Sequence, residues 1–287
     1  MIEFIDYLKS KGFSENTIKS YLNDINIYVR FCNKMGFDIY NKESIYKFFS
    51  YLKTKKMEDT SIKRKKASLI VFSNFLKVIG KELIFNKNDI NVRPKKRLPS
   101  YIKTERIREI LNILNVSDEL EYRDFFIIFF LFSTGVRVSE LVNIKTSDIN
   151  IKERSVIIRG KGNKERIVVF PETLTLEYED YYNRFKHIID KIGYIFFNNR
   201  GKKITRRGIE FILEKIHRKK YYFLSGQKKL HPHLLRHSYA TALIENGADI
   251  KTIATLMGHS SLDTTSKYTH LSTKKLKEVY QLSHPHA

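Results

Sequence analysis

The residues from His231 to Tyr268 read HPHLLRHSYATALIENGADIKTIATLMGHSSLDTTSKY, and the rest of the chain is organised around them. Four side chains in this stretch carry the chemistry: His233, Arg236, His259 and Tyr268. His233 and Arg236 are three residues apart, so on a helix they lie on one face and can reach the same target. A guanidinium, two imidazoles and a phenol together indicate a site for an anionic substrate, with a tyrosine as the nucleophile.

Each of these residues also has an ordinary alternative. The chain holds 17 tyrosines and 9 histidines, and a single tyrosine is far more often packed in a core than used as a nucleophile. A helical zinc site is the second alternative, because His233 and His237 are four residues apart. That motif has Glu after its first histidine, whereas this chain has Leu234. With one cysteine and no carboxylate near these histidines, we expect no metal and no other cofactor.

The charge of the chain indicates its class of partner. Its 53 Lys and Arg residues exceed its 31 Asp and Glu residues, which gives a formal net charge of +22. Such an excess favours nucleic acid first and an anionic membrane surface second. The longest apolar run, 125–132, is too short to span a bilayer and predicts a buried helix. We therefore expect double-stranded DNA, and no membrane, as the partner.

The two features that bear on location are the N-terminus and the cysteine content. The first twelve residues, MIEFIDYLKSKG, carry two acids and no long apolar run, which is unlike a signal peptide. The single cysteine, Cys32, rules out an internal disulfide and fits a reducing compartment. We expect a cytoplasmic protein.

Apolar residues recur at helical spacing through the first ninety residues, with glycines where the pattern stops. Ser14 predicts the N-cap of a long helix, and further helices are predicted to begin near Asn41 and after Asp59. Four short helices with one apolar face each predict a small bundle over 1–90 whose polar faces are left for a partner.

A basic run lies in the first turns of the fourth predicted helix and consists of Lys63, Arg64, Lys65 and Lys66. Four adjacent cations on a helix are as often a solvated face as a binding surface. Roughly half of the charge excess lies in the first hundred residues, which favours contact with DNA phosphates.

Residues 91–100, NVRPKKRLPS, contain two prolines and four cations without an apolar period. This composition predicts a stiff linker between two domains. Its cations Lys95, Lys96 and Arg97 are further candidates for DNA contact.

The second predicted domain opens with a helix capped by Thr104 and continues with the strongly apolar helix 123–133. That helix ends in the turn Thr134-Gly135-Val136-Arg137, so Arg137 is predicted to lie at a helix junction, where its guanidinium could point into a cleft. A structural salt bridge to Glu140 is the alternative for this arginine.

Two β-branched segments, 155–158 and 166–170, flank the sequence GKGNK at 160–164, which predicts a β-hairpin. Lys161 at its tip is either an ammonium delivered to a bound substrate or an ordinary solvated turn lysine. Residues 174–220 predict charged helices with an irregular stretch around 196–203 and no evident chemistry.

Five blocks in this order resemble the tyrosine recombinase (phage integrase) family, and most closely its Xer branch. They are TGVRVSEL at 134–141, GKGNKER at 160–166, PHLLRHS at 232–238, LMGHS at 256–260 and YTH at 268–270. His231 departs from the pattern, two positions before His233.

The resemblance implies a mainly α-helical chain with a small β-hairpin or sheet, arranged as a two-domain, C-shaped DNA clamp. The implied parts are a helical core-binding domain at 1–90, the linker at 91–100, a catalytic domain at 101–271 and a tail at 272–287. The tail would dock on a neighbouring protomer.

The resemblance also implies the catalytic roles. Arg137 and Arg236 would clamp the scissile phosphate, whose charge grows in the transition state, and His259 would hydrogen-bond it. These side chains would take the place of the divalent metal that other phosphoryl-transfer sites use.

The remaining three matched residues would move protons and form the covalent bond. His233 would assist proton movement at the attacking phenol, and Lys161 would protonate the departing 5′ oxygen. Tyr268 would attack phosphorus and form a 3′-phosphotyrosyl link.

The implied function is site-specific recombination through a Holliday junction, by a homotetramer that binds two DNA sites. Chromosome-dimer resolution at a dif-like site, for chromosome partition at cell division, is favoured because no arm-binding domain precedes Met1. A DNA translocase is a candidate regulator. The alternatives are an integrase or resolvase of a mobile element, a topoisomerase with the same chemistry, and a non-catalytic DNA-binding protein.

Overall fold

The computed structural model describes residues 1–81, 83, 85–91, 101–114, 116–160, 165–219 and 229–257. The chain divides into two compact units, Met1–Leu98 and Pro99–Ala287. This division falls inside the predicted linker, whose cations Lys95, Lys96 and Arg97 lie outside the described residues. Nowhere in the described ranges is a helix both long and apolar enough to cross a bilayer.

The first unit is built from helices whose ends follow local rules. They are α1 (Ile2–Ser10), α2 (Glu15–Met35), α3 (Lys42–Thr54) and α4 (Asp59–Val78). Ser14 caps α2 by accepting from the backbone N–H of Thr17. Asn41 caps α3 in the same way, with 2.8 Å between its Oδ1 and the backbone nitrogen of Glu43. The predicted helices of residues 1–80 are therefore confirmed, except that α4 begins at Asp59 rather than after it. Their apolar faces form one aromatic-rich core.

A buried ionic cluster joins α2 to α4 inside this unit. The Asp24 carboxylate is buried and accepts from the Lys65 ammonium and the Ser68 hydroxyl, each at 2.8 Å. Arg64 also pairs with Asp24, from a side chain that is half exposed. Lys65 is itself buried, so its charge depends on Asp24 for compensation.

We expect Asp24→Ala to lower the free energy of unfolding of the first unit by about 3–5 kcal/mol, because it leaves the Lys65 ammonium buried without its carboxylate. Urea denaturation followed by circular dichroism measures the loss. The double variant Asp24→Ala/Lys65→Met removes both charges and should recover part of it. A double variant less stable than Asp24→Ala alone would contradict this account.

The same contacts bear on the predicted DNA-binding run. Lys63 is exposed, whereas Lys65 is held inside the bundle by Asp24. The Lys66 ammonium donates to the backbone carbonyls of Lys87 and Ile90. This counts against Lys65 as a phosphate contact, and DNA contact by its neighbours stays a prediction.

The second unit is mainly helical with one small sheet. Its elements are α5 (Thr104–Asn112), α6 (Glu119–Thr134), α7 (Val138–Leu141), β1 (Ile149–Asn150), β2 (Ser155–Arg159), β3 (Glu165–Val169), α8 (Glu172–Ile192), α9 (Arg206–Lys219), α10 (Pro232–Glu245) and α11 (Ile250–Met257). The predicted mainly helical fold with a small sheet is confirmed. The predicted cap of α5 is wrong by one residue: Lys103 is the N-cap and Thr104 is the first helical residue.

Helix α6 is the centre of this unit. Residues 126–134 are all buried, as expected for a helix that is apolar on every side. Both α8 and α10 pack against it. Gly135 ends α6 with a left-handed φ of 59°, and the chain turns there towards α7. The packing of α10 on α6 places the end of α6, at Gly135, beside Tyr239 of α10.

The sheet is antiparallel in the order β1-β2-β3. In the β2–β3 ladder Ile158 pairs with Arg166, and Arg159 pairs with Glu165 next to the 160–164 connection. Val156, Ile158 and Val168 are buried, so one face of the hairpin lies on the core. Because Arg166 lies opposite Ile158, it belongs to that inner face.

Candidate active site

The turn after α6 is fixed by close contact with α10. Gly135 lies against the ring of the buried Tyr239, and a Cβ at position 135 would overlap the ring carbons. A left-handed φ at the same residue also favours glycine. Position 135 therefore needs glycine for both space and backbone conformation.

We expect Gly135→Ala to reduce the free energy of unfolding by about 2–4 kcal/mol, since overpacking adds to the cost of a left-handed alanine. Gly193→Ala is the matched control, because Gly193 ends α8 with a φ of 71° and has open space around it. Thermal unfolding of both variants isolates the overlap with Tyr239. Equal losses in the two variants would contradict the packing argument.

Arg236 lies one turn into α10 and is buried at the end of α6. Its Nη1 donates to the Gly135 carbonyl, and its Nη2 donates to the Met257 carbonyl at 2.5 Å. Burial, followed by the nearby charge of Arg137, lowers the pKa of Arg236 to about 10, so the guanidinium is still protonated at neutral pH. The side chain thus joins the 134–137 turn, α10 and the end of α11.

Arg137 is the N-cap residue of α7 and is 37% exposed at its side chain. Its Nη1 donates to Glu140 Oε1 at 3.0 Å, and its backbone nitrogen donates to Glu140 Oε2 at 2.8 Å. The salt bridge weighed as an alternative is therefore present. It orients the guanidinium without burying it.

Glu140 is 5% exposed and is held as a carboxylate. Burial alone would raise the pKa of Glu140, but the hydrogen bonds and charge of Arg166, and then those of Arg137, lower it to about 2. Arg166 reaches both carboxylate oxygens, with Nη1 at 2.9 Å from Oε1 and Nη2 at 2.8 Å from Oε2. Glu140 is therefore charged at neutral pH and shared by two arginines.

Sequence reasoning missed the contribution of Arg166. The signal that indicates it is the alternation of β3, in which an arginine shares a face with the buried Val168. A cation on an inward-facing strand position requires a carboxylate partner. The charge of Arg166 also lowers the pKa of Arg236, after burial and Arg137. Arg137, Arg166 and Arg236 therefore lie close enough for their charges to interact with one another and with Glu140.

Three histidines cluster at the start of α10. His233 is exposed in the first turn, one turn before the buried Arg236 on the same helix. His231 is the N-cap of α10, where its Nδ1 accepts from the backbone nitrogen of Leu234 at 3.1 Å. Burial lowers the pKa of His231, and the nearby His233 and His237 add to this, which favours the neutral ring that a cap requires. The residue that departs from the family pattern is thus a helix cap.

Three of the six predicted catalytic residues lie outside the described residues: Lys161, His259 and Tyr268. Those that are described, Arg137, His233 and Arg236, lie on α10 and on the turn that packs against it. Within the described ranges no group of three His, Cys, Asp or Glu side chains could hold a metal ion.

The chemistry of the arginine cluster follows from its charge. Among these four side chains, the guanidinium groups of Arg137, Arg166 and Arg236 carry three positive charges and Glu140 carries one negative charge. Guanidinium donors held rigidly in a partly buried site stabilise an oxyanion far better than the same groups in water. Fold and site define a class: a two-unit, mainly helical protein with a cluster of three arginines around one buried glutamate in its second unit.

The chain matches known protein families over most of its length. A model of the phage integrase family matches residues 100–275, and a model of the phage integrase N-terminal SAM-like domain matches residues 1–83. Tyrosine recombinase XerC of Staphylococcus aureus is 34% identical over 290 residues, which cover 99% of this chain and 96% of that protein. The chain therefore belongs to the phage integrase family and is a tyrosine recombinase, which confirms the resemblance drawn from the sequence.

Solved structures share the fold of this chain. The crystal structure of XerA recombinase is 29% identical, with a TM-score of 0.51 over 99% of this chain and 98% of that one. The Tn1549 transposon integrase in complex with transposon right end DNA has a TM-score of 0.73 over 97% of each chain. At 18% identity this second likeness concerns the fold alone.

Proposed function

We propose that this chain is a site-specific recombinase of the Xer type. It would cut and rejoin DNA through a 3′-phosphotyrosyl intermediate and a Holliday junction. The observation that carries the proposal is the placement of Arg137 and Arg236 around one turn, with Arg236 bound to the Gly135 carbonyl two residues before Arg137. Two guanidinium groups at such a turn suit the non-bridging oxygens of one phosphodiester.

The arginine pair would lower the barrier by compensating charge. In phosphoryl transfer the equatorial oxygens carry the charge of the transition state, and fixed donors stabilise it without reorganisation. Each terminal nitrogen of Arg236 has a second hydrogen that its carbonyl bonds do not use. Arg137 is exposed enough to meet a phosphate from the solvent side.

Proton transfers would complete the reaction. The Tyr268 phenol would attack phosphorus while His233, exposed at the start of α10, assists removal of its proton. Lys161 would protonate the departing 5′ oxygen, and His259 would hydrogen-bond the phosphate. One phosphodiester is exchanged for another of similar energy, so the reaction requires no ATP.

The biological setting belongs to the same proposal. XerH recombinase, whose structure was solved bound to its difH substrate, is 22% identical to this chain over 91% of it. For the present chain we propose a homotetramer acting on two copies of a dif-like site, with residues 272–287 docking on the neighbouring protomer and a DNA translocase as regulator. For this role we propose a cytoplasmic location.

A covalent-trapping assay tests the function. A bound site is first selected from a random duplex library, and a nicked version is then made so that cleavage releases a short fragment and traps the enzyme. We expect a denaturation-resistant protein–DNA adduct whose DNA-linked peptide contains Tyr268. Specific binding without any adduct would favour a non-catalytic DNA-binding protein, and relaxation of plasmid lacking the site would favour a topoisomerase.

A further inference from the structure

Arg166 lies on the inner face of the sheet, where burying a cation costs free energy unless an opposite charge compensates it. It pairs with Ile158 across the β2–β3 ladder and faces the same side of the sheet as the buried Val168. Its side chain is only 17% exposed. Desolvating a guanidinium requires a partner of opposite charge, and Glu140 supplies it.

The bonds on Glu140 are divided symmetrically between its two oxygens. Oε1 accepts from Nη1 of Arg166 at 2.9 Å and from Nη1 of Arg137 at 3.0 Å. Oε2 accepts from Nη2 of Arg166 and from the backbone nitrogen of Arg137, both at 2.8 Å. The two terminal nitrogens of Arg166 thus fix the plane of the carboxylate that Arg137 binds.

The Arg137 guanidinium makes fewer of these bonds than the Arg166 guanidinium does. Arg137 gives Glu140 one guanidinium nitrogen, whereas Arg166 gives it two. Among the residues that the structure describes, Arg137 and Arg166 supply the guanidinium groups that pair with Glu140. Without Arg166, the buried Glu140 carboxylate would therefore pair with the Arg137 guanidinium alone. The attraction would then turn Arg137 towards Glu140 and away from an incoming phosphate.

We propose that Arg166 is a positioning residue for DNA cleavage. It balances and orients Glu140, so that the carboxylate directs the Arg137 guanidinium at the scissile phosphate without holding it by both terminal nitrogens. It also ties the β2–β3 hairpin, whose 160–164 connection contains Lys161, to the carboxylate that orients Arg137. The inference rests on the function proposed above and adds a residue that acts through Glu140.

Single-turnover cleavage of the nicked site at saturating protein tests this role in the full chain. Arg166→Gln should slow adduct formation about 100-fold, the scale of a displaced reacting group. Arg166→Lys should recover part of the rate, because it restores the charge but not the two-nitrogen fork. DNA affinity, measured by gel shift, should change little in either variant.

Arg159→Gln is the matched control. Arg159 belongs to the next residue pair along the same ladder, and its side chain is half exposed. It forms salt bridges with Asp148 and Glu165 instead of Glu140. Removing it takes one cation and its ion pairs from the same hairpin, so the rate should stay near that of the wild type. Equal rates for Arg159→Gln and Arg166→Gln would overturn the inference.

A double-mutant cycle separates action through Glu140 from a purely structural effect or a direct contact. In a Glu140→Gln background, Arg166→Gln should cost little further rate, because its target is already neutral. Additive losses would overturn the role through Glu140. If the wild-type chain itself forms no adduct, the proposed function fails instead, so the two failures are distinguishable.

Discussion

Replacing Tyr268 by phenylalanine is expected to abolish the covalent protein–DNA adduct while leaving DNA binding intact. Phenylalanine keeps the ring but lacks the oxygen that would bond to phosphorus, so no 3′-phosphotyrosyl link can form. The nicked substrate is incubated with each protein, and the adduct is read on a denaturing gel. A gel shift on the same DNA reports affinity.

Tyr182→Phe is the control for losing a phenol elsewhere in the same unit. The Tyr182 hydroxyl donates to Asp190 at 2.8 Å within α8 and its loss should leave the adduct yield unchanged. An adduct that persists in Tyr268→Phe would show that another residue is the nucleophile. Loss of both adduct and DNA binding in Tyr268→Phe would indicate misfolding and contradict the expected result.

Local features of the fold were predictable because their physics is local. Ser14 and Asn41 cap helices through backbone groups two or three residues away, and Gly135 ends α6 in a left-handed conformation. The hairpin followed from two β-branched segments around a glycine-containing connection. None of these inferences required knowledge of which elements pack together.

Charge partners were not predictable, because packing selects them. Asp24 and Lys65 are 41 residues apart, and Glu140 and Arg166 are 26 residues apart. A run of four cations therefore gave no sign that Lys65 is buried. The salt bridge between Arg137 and Glu140 joins residues only three positions apart, so helical spacing could predict it as an alternative.

The candidate site was predicted mainly through resemblance. Helical spacing placed His233 and Arg236 on one helix, but burial separates them: His233 is exposed and Arg236 is buried. The approach of Arg236 to the turn before Arg137 spans 101 residues of sequence, from Arg236 to Gly135. The contact between Arg236 and this turn was implied by the family resemblance of the ordered motifs. The spacing of the residues along the chain did not predict it.

Arg236→Lys is expected to slow adduct formation about 1000-fold at saturating DNA, the upper range for loss of one oxyanion donor. One guanidinium here bonds the Gly135 and Met257 carbonyls and still has hydrogens directed elsewhere. A lysine ammonium cannot span both carbonyls and a phosphate. Burial and the charge of Arg137, which lower the pKa of Arg236 to about 10, would also favour a neutral lysine.

Arg123→Lys distinguishes this effect from the general cost of replacing a buried arginine. Arg123 is fully buried in the same unit and bonds Asp124 and Asn199, so its substitution should lower stability but leave the cleavage rate near that of the wild type. Unfolding midpoints and single-turnover rates are measured for both variants. If the two substitutions slow single-turnover cleavage equally, Arg236 stabilises the fold and does not contact the phosphate. A selective loss in Arg236→Lys, at comparable stability, is the result that the buried guanidinium and its two carbonyl partners require.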